Sequence, residues 1–299
     1  MNMQSRKLTV AAIGCSGHIA ETFVRGFLAE GVALRILARN PNEVARRYPG
    51  ASIVAGSMMN PADVAKAMDG ADGAFLMTPM AVRDNPTNEI DAANAVIAGA
   101  KAAGLRHLVY TSAIGAERIT GVGILDAKFQ VERLLASSGL PCSILRCGSY
   151  MEDIFDPRLE LLRKGKFLFP LTKSRRFTYT SQKDVPTFVV RELLQPGRVL
   201  NRAIAFASPR TYTIHEVEDQ LTQASGHPIK APAKFPTYYL YMAALPFFRW
   251  RGDRLASILP LIRHFDQHGC LASGETVATF APSFHMTSLD EHLRRLFRS

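Results

Sequence analysis

The chain has 299 residues, of which 47% are hydrophobic, so it can bury a substantial core as one large domain or two closely joined ones. Its formal net charge is +10, but the basic clusters are dispersed and no helix-turn-helix, zinc-finger or RNA-binding signature connects them. This argues against direct nucleic-acid binding, and the positive charge suits anionic cofactors and substrates instead.

Cysteine usage and the apolar stretches indicate where the protein works. The four cysteines have no metal-type spacing, and no apolar signal segment follows residues 1–7. The longest aromatic and apolar stretch, residues 238–248, is interrupted by Pro246 and is too short to cross a membrane. We expect a cytoplasmic protein without a membrane-spanning segment.

The first predicted elements form a β-α-β unit. Residues 8–13 are an apolar run typical of a buried strand, and two spaced glycines, Gly14 and Gly17, follow it. Apolar residues then recur at helical spacing until Gly31, which can end the helix, and residues 33–38 predict a second strand. In this context a glycine pair can hold a phosphate at the N-terminus of a helix.

The residue types in this turn suit a dinucleotide. Gly14 permits a tight turn, and Gly17 lets the backbone approach a pyrophosphate, whose charge the helix N-terminus favours. Ser16 and His18 have the residue types of a nucleophile and a base, but the G-x-S-x-G pattern is absent. We therefore expect Ser16 to contact a phosphate. The alternative is a tight turn that binds no ligand.

The residue after the second strand indicates which dinucleotide is bound. An NAD-selective site usually has an acidic side chain there, whereas this chain has Arg39. A guanidinium suits the 2′-phosphate of NADP(H), and a charge-assisted hydrogen bond predicts a preference of about ten- to hundredfold. The alternative is an ordinary solvated arginine at a strand end.

The alternation of strands and helices continues to about residue 146. Because the strands are near-continuous apolar runs, they predict a parallel sheet covered by helices on both faces. Six strands make a doubly wound (Rossmann) α/β sheet, which binds ligands at the carboxyl ends of its strands. The further strands are predicted at 52–55, 73–78, 107–112 and 142–146, and the further helices at 60–68, 85–103 and 125–137.

The pattern changes beyond Gly148. A basic, aromatic stretch covers residues 164–179. We therefore predict an NADP(H)-binding Rossmann domain at 1–150 and a smaller, irregular α/β substrate-binding region at 151–299, partly interleaved with the first. The elements predicted in this region are helices at 153–163, 184–194 and 214–224, a strand at 202–207, and a final helix that begins with a capping box of Ser288 and Glu291.

Six short segments together resemble the NmrA-like family of atypical short-chain dehydrogenase/reductases. Their order and spacing are more specific than any one of them, and the similarity runs over nearly the whole chain. The segments are residues 14–20, 38–41, 75–79, 108–113, 126–132, which has the family's K-x-x-x-E pattern, and 144–152, which is similar to its L-R-P-G-x-F-M-E pattern.

The resemblance implies an NADP(H)-binding protein and gives roles to particular residues. It implies that Thr78 and Pro79 lie near the adenosine or the linking phosphates, and that Lys128 reaches the nicotinamide ribose. The backbone near residues 148–150 would form a wall against the nicotinamide ring. The implied cofactor-binding residues are Gly14, Ser16, Gly17, His18, Ile19, Arg39, Thr78, Pro79, Lys128, Gly148, Ser149 and Tyr150.

The sequence departs from the family pattern at three positions. Ala20 replaces the third glycine, and Ser57 stands where many relatives have aspartate. Active short-chain reductases generally use a tyrosine four residues before the lysine as proton donor, and that position here is Ile124. The serine that usually assists the tyrosine matches either Ser112 or Ala113, depending on how the strand is aligned.

Two functions fit these residues. One is hydride transfer from NADPH to an electron-poor small molecule, such as a quinone, an azo compound or an activated alkene or carbonyl, which takes its proton later from water. Lys128 would position the nicotinamide, Ser112 is a further catalytic candidate, and Tyr150 would either donate a proton or only stack on the ring. The other function is a non-catalytic NADP(H)-responsive regulator that acts through a protein partner.

Two other features receive their commoner explanations. Residues 235–250 are rich in aromatic side chains, which suits a core segment, a homodimer contact or a pocket cover. His264 and His268 have an i, i+4 spacing that can bind zinc, but a histidine-rich helix end followed by Gly269 is more usual. We therefore expect no metal site.

Overall fold

A parallel sheet with helices on both faces forms the body of the molecule. The computed structural model describes residues 7–17, 20–79, 87–167, 174–197, 199–231, 243 and 255–298. The strands are β1 (Thr9–Ile13), β2 (Ala33–Ala38), β3 (Ser52–Ala55), β4 (Gly73–Leu76), β5 (Leu108–Ala113), β6 (Cys142–Cys147), β7 (Ser149–Tyr150), β8 (Arg176–Thr180), β9 (Arg202–Phe206) and β10 (Thr211–Thr213).

The main sheet has seven strands in the order β3-β2-β1-β4-β5-β6-β9, and every neighbouring pair is parallel. The predicted doubly wound α/β fold is thus confirmed. The predicted number of six strands is wrong, because β9 pairs with β6 and extends the same sheet. The segment that forms β9 is separated from β6 by the irregular part of the sequence, so its pattern alone did not indicate which sheet it joins.

Helices cover both faces of this sheet. On one face α1 and α8 pack together, and Phe23 and Phe27 of α1 contact Phe75 of β4. On the other face α3, α4 and α5 form a second apolar core. The helices are α1 (Glu21–Ala29), α2 (Pro41–Arg47), α3 (Pro61–Met68), α4 (Thr87–Ala102), α5 (Gly123–Ser137), α6 (Met151–Phe155), α7 (Leu159–Arg163), α8 (Asp184–Leu194), α9 (Ile214–Ser225), α10 (Leu255–His268), α11 (Val277–Phe280) and α12 (Leu289–Arg298).

The helix predicted at 153–163 is divided into α6, a short 3-10 turn and α7. Pro157 lies in this turn and has no backbone N–H, so it cannot complete the hydrogen-bond pattern of one continuous helix. The guanidinium of Arg158 donates instead to the carbonyl oxygens of Asp153 and Ile154, at 3.3 and 2.5 Å. These bonds stabilise the interrupted segment.

A smaller sheet lies beside the main one, in the order β10-β8-β7. Its central strand, β8, falls in the stretch for which the sequence predicted only basic and aromatic character. The inner side is apolar, with Phe155, Phe167 and Tyr179 packed together. The capping box predicted for the last helix is present, since Ser288 and Glu291 exchange hydrogen bonds of 2.7 and 3.2 Å.

The described helices include none with the length and apolar character needed to cross a bilayer. All four cysteines are buried and none forms a disulfide. Burial raises the pKa of the Cys15 thiol to about 12, so the thiol beside the first glycine stays protonated at neutral pH.

Candidate functional site

The two glycines after β1 differ in their surroundings. Gly14 has a φ of +83°, and a Cβ there would lie 1.8 Å from the carbonyl oxygen of Met77, so only glycine fits. A Cβ at Gly17 would meet no atom of the described residues within 4 Å. The first glycine is required by the packing of the protein itself, whereas the space beside the second is open.

The loop between these glycines leads to an uncapped helix. The carbonyl oxygen of Ser16 accepts a hydrogen bond from Arg47 at 3.4 Å, which ties the loop to α2. α1 begins at Glu21, and no side chain caps its N-terminus. The backbone N–H groups of this first turn can therefore bind an anion. The predicted contacts of His18 and Ile19 lie outside the described residues.

Arg39 is exposed at the end of β2. It lies beside an open cavity of about 350 Å³ that is lined by residues 39–43 and Arg46. Within the described residues its guanidinium has no carboxylate partner, whereas Arg47 on α2 pairs with Glu43 at 2.5 Å. Arg39 is therefore available to an anionic group at this strand end.

Lys128 on α5 is the centre of a second group of side chains. Its Nζ lies 3.1 Å from Oε1 of Glu89, in the first turn of α4. Glu89 is fully buried, whereas 15% of the Lys128 side chain is exposed. Burial alone would lower the pKa of Lys128, but Glu89 and then Tyr110 raise it above its ordinary value. The ammonium therefore remains charged at neutral pH.

Two hydroxyl groups complete the contacts of the Glu89 carboxylate. The Thr78 hydroxyl donates to Oε1 of Glu89 and lies 3.1 Å from the hydroxyl of Tyr110. The Tyr110 hydroxyl reaches the same oxygen at 3.5 Å, and burial raises its pKa above the ordinary value. Because the Thr78 side chain is engaged with Glu89, a cofactor would meet this segment through its backbone and through the exposed Pro79.

Ser112 belongs to a different cluster. Its buried hydroxyl donates to Oε1 of Glu132 at 2.6 Å, and Glu132 forms a bidentate ion pair with Arg146 on β6. Lys128 and Glu132 are one helical turn apart, yet Lys128 pairs with Glu89 and Glu132 pairs with Arg146. Among the described contacts, none joins Ser112 to Lys128.

The position of the missing tyrosine is part of a core contact. Ile124 is 4% exposed and packs with Ala127 and Leu261. A phenol is nevertheless present beside the lysine, since the Tyr110 ring centroid lies 5.6 Å from Nζ of Lys128. It comes from β5 rather than from the helix.

Gly148, Ser149 and Tyr150 connect the main sheet to the smaller one. A Cβ at Gly148 would lie 2.6 Å from the carbonyl oxygen of Thr178, so a close approach of two backbones requires this glycine. The Tyr150 ring packs edge-on against Phe23 of α1, with centroids 5.7 Å apart. Burial raises the pKa of Tyr150 well above its ordinary value, which makes it a weak acid at neutral pH.

The histidine pair and the aromatic stretch are the remaining features that the sequence singled out. The rings of His264 and His268 are 4.7 Å apart, but the described residues contain no group of three or more potential metal-ligating side chains. Of the aromatic stretch at 235–250, the described residues include only Ala243, so the stretch otherwise lies outside them.

Sequence analysis missed Glu89 and Tyr110. Glu89 was one acidic residue in a predicted apolar helix, and Tyr110 was one aromatic residue in a predicted strand. Their contacts with Lys128 cross from α4 and β5 to α5, so local spacing gave no signal. The complete burial of Glu89, which only the folded structure shows, is the feature that marks this residue.

Comparisons with known proteins agree with this architecture. The NAD(P)H azoreductase of Xenophilus azovorans is 24% identical over 222 residues, which cover 74% of this chain and 75% of that protein. The photosystem II assembly factor Ycf39 of Trieres chinensis is 22% identical over 258 residues, which cover 83% of this chain and 80% of that protein.

A solved structure extends the likeness to the fold of nearly the whole chain. The NADPH-dependent quinone oxidoreductase of Escherichia coli, in complex with NADPH, matches with a TM-score of 0.74 and 20% identity. The match covers 96% of this chain and 99% of that one. The model of the NmrA-like family matches residues 6–233, and the chain therefore belongs to the NmrA-like family.

Proposed function

We propose that this protein is an NADPH-dependent reductase that transfers hydride to an electron-poor small molecule, such as a quinone, an azo compound or an activated alkene or carbonyl. The observation that carries the proposal is the set of groups available along the carboxyl ends of the strands. They are the open backbone at Gly17 after β1, the unpaired Arg39 after β2 and the charged Lys128 beside β5. Reductases among its relatives and structural neighbours support the same class of reaction.

These residues fit NADPH. The space at Gly17 and the uncapped N-terminus of α1 accept a pyrophosphate, with Ser16, His18 and Ile19 as further contacts. Arg39, which follows β2, meets the 2′-phosphate of the cofactor.

The nicotinamide half would occupy the adjoining part of the crevice. Pro79 and the backbone at Thr78 would contact the linking portion of the cofactor, and Lys128 would hold the nicotinamide ribose. The connection formed by Gly148, Ser149 and Tyr150 would wall the ring.

The bound cofactor supplies the hydride, and the protein supplies position and charge. The Lys128 ammonium is held by Glu89 and remains protonated, so it donates hydrogen bonds rather than acting as a base. Ile124 offers no proton, and the raised pKa of Tyr150 makes its phenol a poor acid. Such a site suits acceptors that take hydride first and collect a proton from water afterwards.

A panel of acceptors tests this function. We expect NADPH oxidation with quinones and azo compounds, and little oxidation with simple ketones, whose alkoxide products need a proton as charge develops. Stopped-flow absorbance of NADPH gives the rate with each acceptor, and Lys128→Ala should lower the rate with a quinone. Fast reduction of simple ketones by the unmodified protein would contradict the proposed lack of an effective acid, and Tyr150→Phe would then identify or exclude its phenol as the donor.

A second function has one specific observation in its favour. The position of the usual catalytic tyrosine is occupied by the buried Ile124, and some relatives are named assembly factors rather than reductases. The alternative is a regulator that binds NADP(H), changes a surface and acts on a protein partner or a second copy of itself. Tight NADPH binding without turnover of any acceptor in the panel would favour the regulator and contradict the reductase.

A further inference from the structure

The buried carboxylate of Glu89 has one cationic partner. Both Oε1 and Oε2 of Glu89 are inaccessible to solvent, but the contacts from Thr78, Tyr110 and Lys128 all reach Oε1. Among the described residues Oε2 has no hydrogen-bond partner. Within the described part of the chain, Lys128 is thus the cation that balances the charge of this carboxylate, which makes the two groups strongly dependent on each other.

The carboxylate is itself held in place. Glu89 lies in the first turn of α4, where the helix dipole favours a negative charge. Thr78, which follows β4, and Tyr110, on β5, direct their hydroxyls towards it. Three separate elements thus fix the point to which the long and otherwise flexible side chain of Lys128 is attached.

Lys128 is the member of this cluster that reaches the surface, with 15% of its side chain exposed. The other groups that interact with its charge are Tyr110 on β5 and Cys147 on β6, and both are protonated and neutral at neutral pH. On α10, which packs on α5, the pKa of His264 is lowered by burial and then by His268 and Arg118, and Lys128 is not among the causes of this shift. Among the described residues, Glu89 is the carboxylate that pairs with Lys128.

We propose that Glu89 is a positioning residue, which fixes the Lys128 ammonium at the cofactor edge of the crevice and keeps it charged where a helical tyrosine is absent. This inference rests on the proposed binding of NADPH and adds a residue to that site. A purely structural alternative is that the ion pair only joins α4 to α5. The two differ in what happens to Lys128 when the carboxylate is removed.

Chemical labelling of Lys128 tests the proposal without cofactor. Acetic anhydride reacts with the neutral amine, so the pH dependence of labelling, measured by mass spectrometry, reports the protonation of this lysine. In Glu89→Gln we expect the rate at Lys128 to rise by about tenfold or more at pH 9, because the partly buried ammonium has lost its counter-charge. An unchanged labelling profile would overturn the proposal.

Glu192→Gln is the matched control. Glu192 is also buried, at 4% exposure, and accepts a hydrogen bond from the backbone N–H of Gly197 at 3.2 Å on the other face of the sheet. Its replacement should leave the labelling of Lys128 unchanged. An equal change in both variants would mean that loss of any buried carboxylate loosens the protein, and would overturn the specific role of Glu89.

The affinity for NADPH, measured by titration, tests the position of the Lys128 ammonium. In Glu89→Gln we expect affinity to fall by about tenfold between pH 7 and pH 9, while the unmodified protein changes little over this interval. Glu89→Asp retains the charge but shortens the side chain, so it should keep the labelling profile of the unmodified protein and lose affinity severalfold. This variant tests the position of the ammonium even where Glu89→Gln fails to fold.

The two proposals fail in different ways. NADPH affinity that is independent of residue 89 at every pH would overturn the positioning role, even if labelling changed. Failure of the unmodified protein to bind NADPH would instead overturn the proposed function. The labelling experiment needs no cofactor, so it separates these results.

Discussion

The two ends of the parallel sheet differ in how their polar groups are satisfied. At the amino end, polar side chains bond one another or the backbone. Asp72 accepts from the backbone N–H of Thr9 at 2.8 Å and pairs with Arg106 at 2.6 Å, and His107 lies 2.8 Å from the hydroxyl of Ser143. These contacts join neighbouring strands, so this end contributes to the stability of the sheet.

At the carboxyl end several groups lack such partners within the described part of the chain. The space beside Gly17 is open, and the exposed Arg39 has no carboxylate partner. The same sheet therefore has one end built for folding and one with groups available to a ligand. Replacements should divide in the same way, with effects on stability at the first end and on binding at the second.

Gly14 is the strongest exception to this division and should give the largest effect. Gly14→Ala places a methyl group 1.8 Å from the Met77 carbonyl oxygen, so we expect a loss of more than about 3 kcal/mol in the free energy of unfolding, or no folded protein. Gly31→Ala is the control, because Gly31 has a φ of +75° with no atom within 4 Å of a Cβ. It should cost only about 1 kcal/mol. Urea unfolding measures both, and equal losses would contradict the steric explanation.

Gly17→Val should have the opposite effect to Gly14→Ala, because it should reduce cofactor binding and leave stability unchanged. A Cβ there meets no atom of the part of the chain that the structure describes, but the added side chain occupies the space assigned to the pyrophosphate. We expect an unchanged urea midpoint and a loss of NADPH affinity of more than about a hundredfold. Gly17→Ala should lose less. Unchanged affinity in Gly17→Val would mean that the loop is only a structural turn.

At the amino end of the sheet, His107 should make the free energy of unfolding depend on pH. Burial lowers its pKa to about 4 from 6.5, against a smaller opposing effect of a hydrogen bond to the Glu192 backbone. Between these values the unfolded chain binds the extra proton, so the stabilisation is complete above pH 6.5 and is lost as the pH falls towards 4. The loss reaches about 3 kcal/mol over this interval.

Urea unfolding at pH 7.5, 5.5 and 4.5 tests the contribution of His107. We expect His107→Gln to flatten the dependence on pH, because Gln carries no titrating group. The same dependence in this variant would assign acid sensitivity to other residues. Ser143 donates its proton to the carbonyl of Val199 at 3.0 Å, so the ring of His107 donates from Nε2. Its lowered pKa keeps the ring neutral in the folded state at neutral pH.

Arg39→Asp gives the smallest predicted effect and the sharpest test of the carboxyl end. We expect the preference for NADPH over NADH to fall by about ten- to hundredfold or to reverse, since aspartate repels the 2′-phosphate and can bond ribose hydroxyls. Calorimetry with both dinucleotides measures the preference. Arg106→Gln, at the amino end, should leave it unchanged. Equal affinities of the unmodified protein for the two cofactors would remove Arg39 from this role.

The features that sequence analysis predicted well are those set by neighbouring residues. The strand, glycine turn and helix around Gly14 follow from local spacing, and helix α8 and strand β3 have the predicted bounds. The short helix α2 was not predicted, because it has only seven residues and follows the second strand within a few residues. Short elements of this kind leave little periodicity to detect.

The features that sequence analysis could not predict depend on contacts across the fold. Nothing in the spacing around Lys128 indicates that its partner lies at Glu89, or that the hydroxyl of Ser112 is directed to Glu132. The sequence alone left open whether Ser112 or Ala113 matches the serine that usually assists the tyrosine, because the choice depends on how β5 lies beside α5. The sequence thus indicates which residues have functional side chains, but only the packed structure shows which of them contact each other.

The pairing of β9 with β6 has a consequence for how the chain folds. β6 is complete at Cys147, but its outer neighbour begins at Arg202, after α6, α7, β8 and α8 have been made. During synthesis β6 is therefore an exposed edge strand until β9 has been made. Strands of other chains can pair with such an edge. A polypeptide ending near residue 150 would retain that edge permanently. The strands from β1 to β6 thus depend on a later segment of the chain to cover the edge of their sheet.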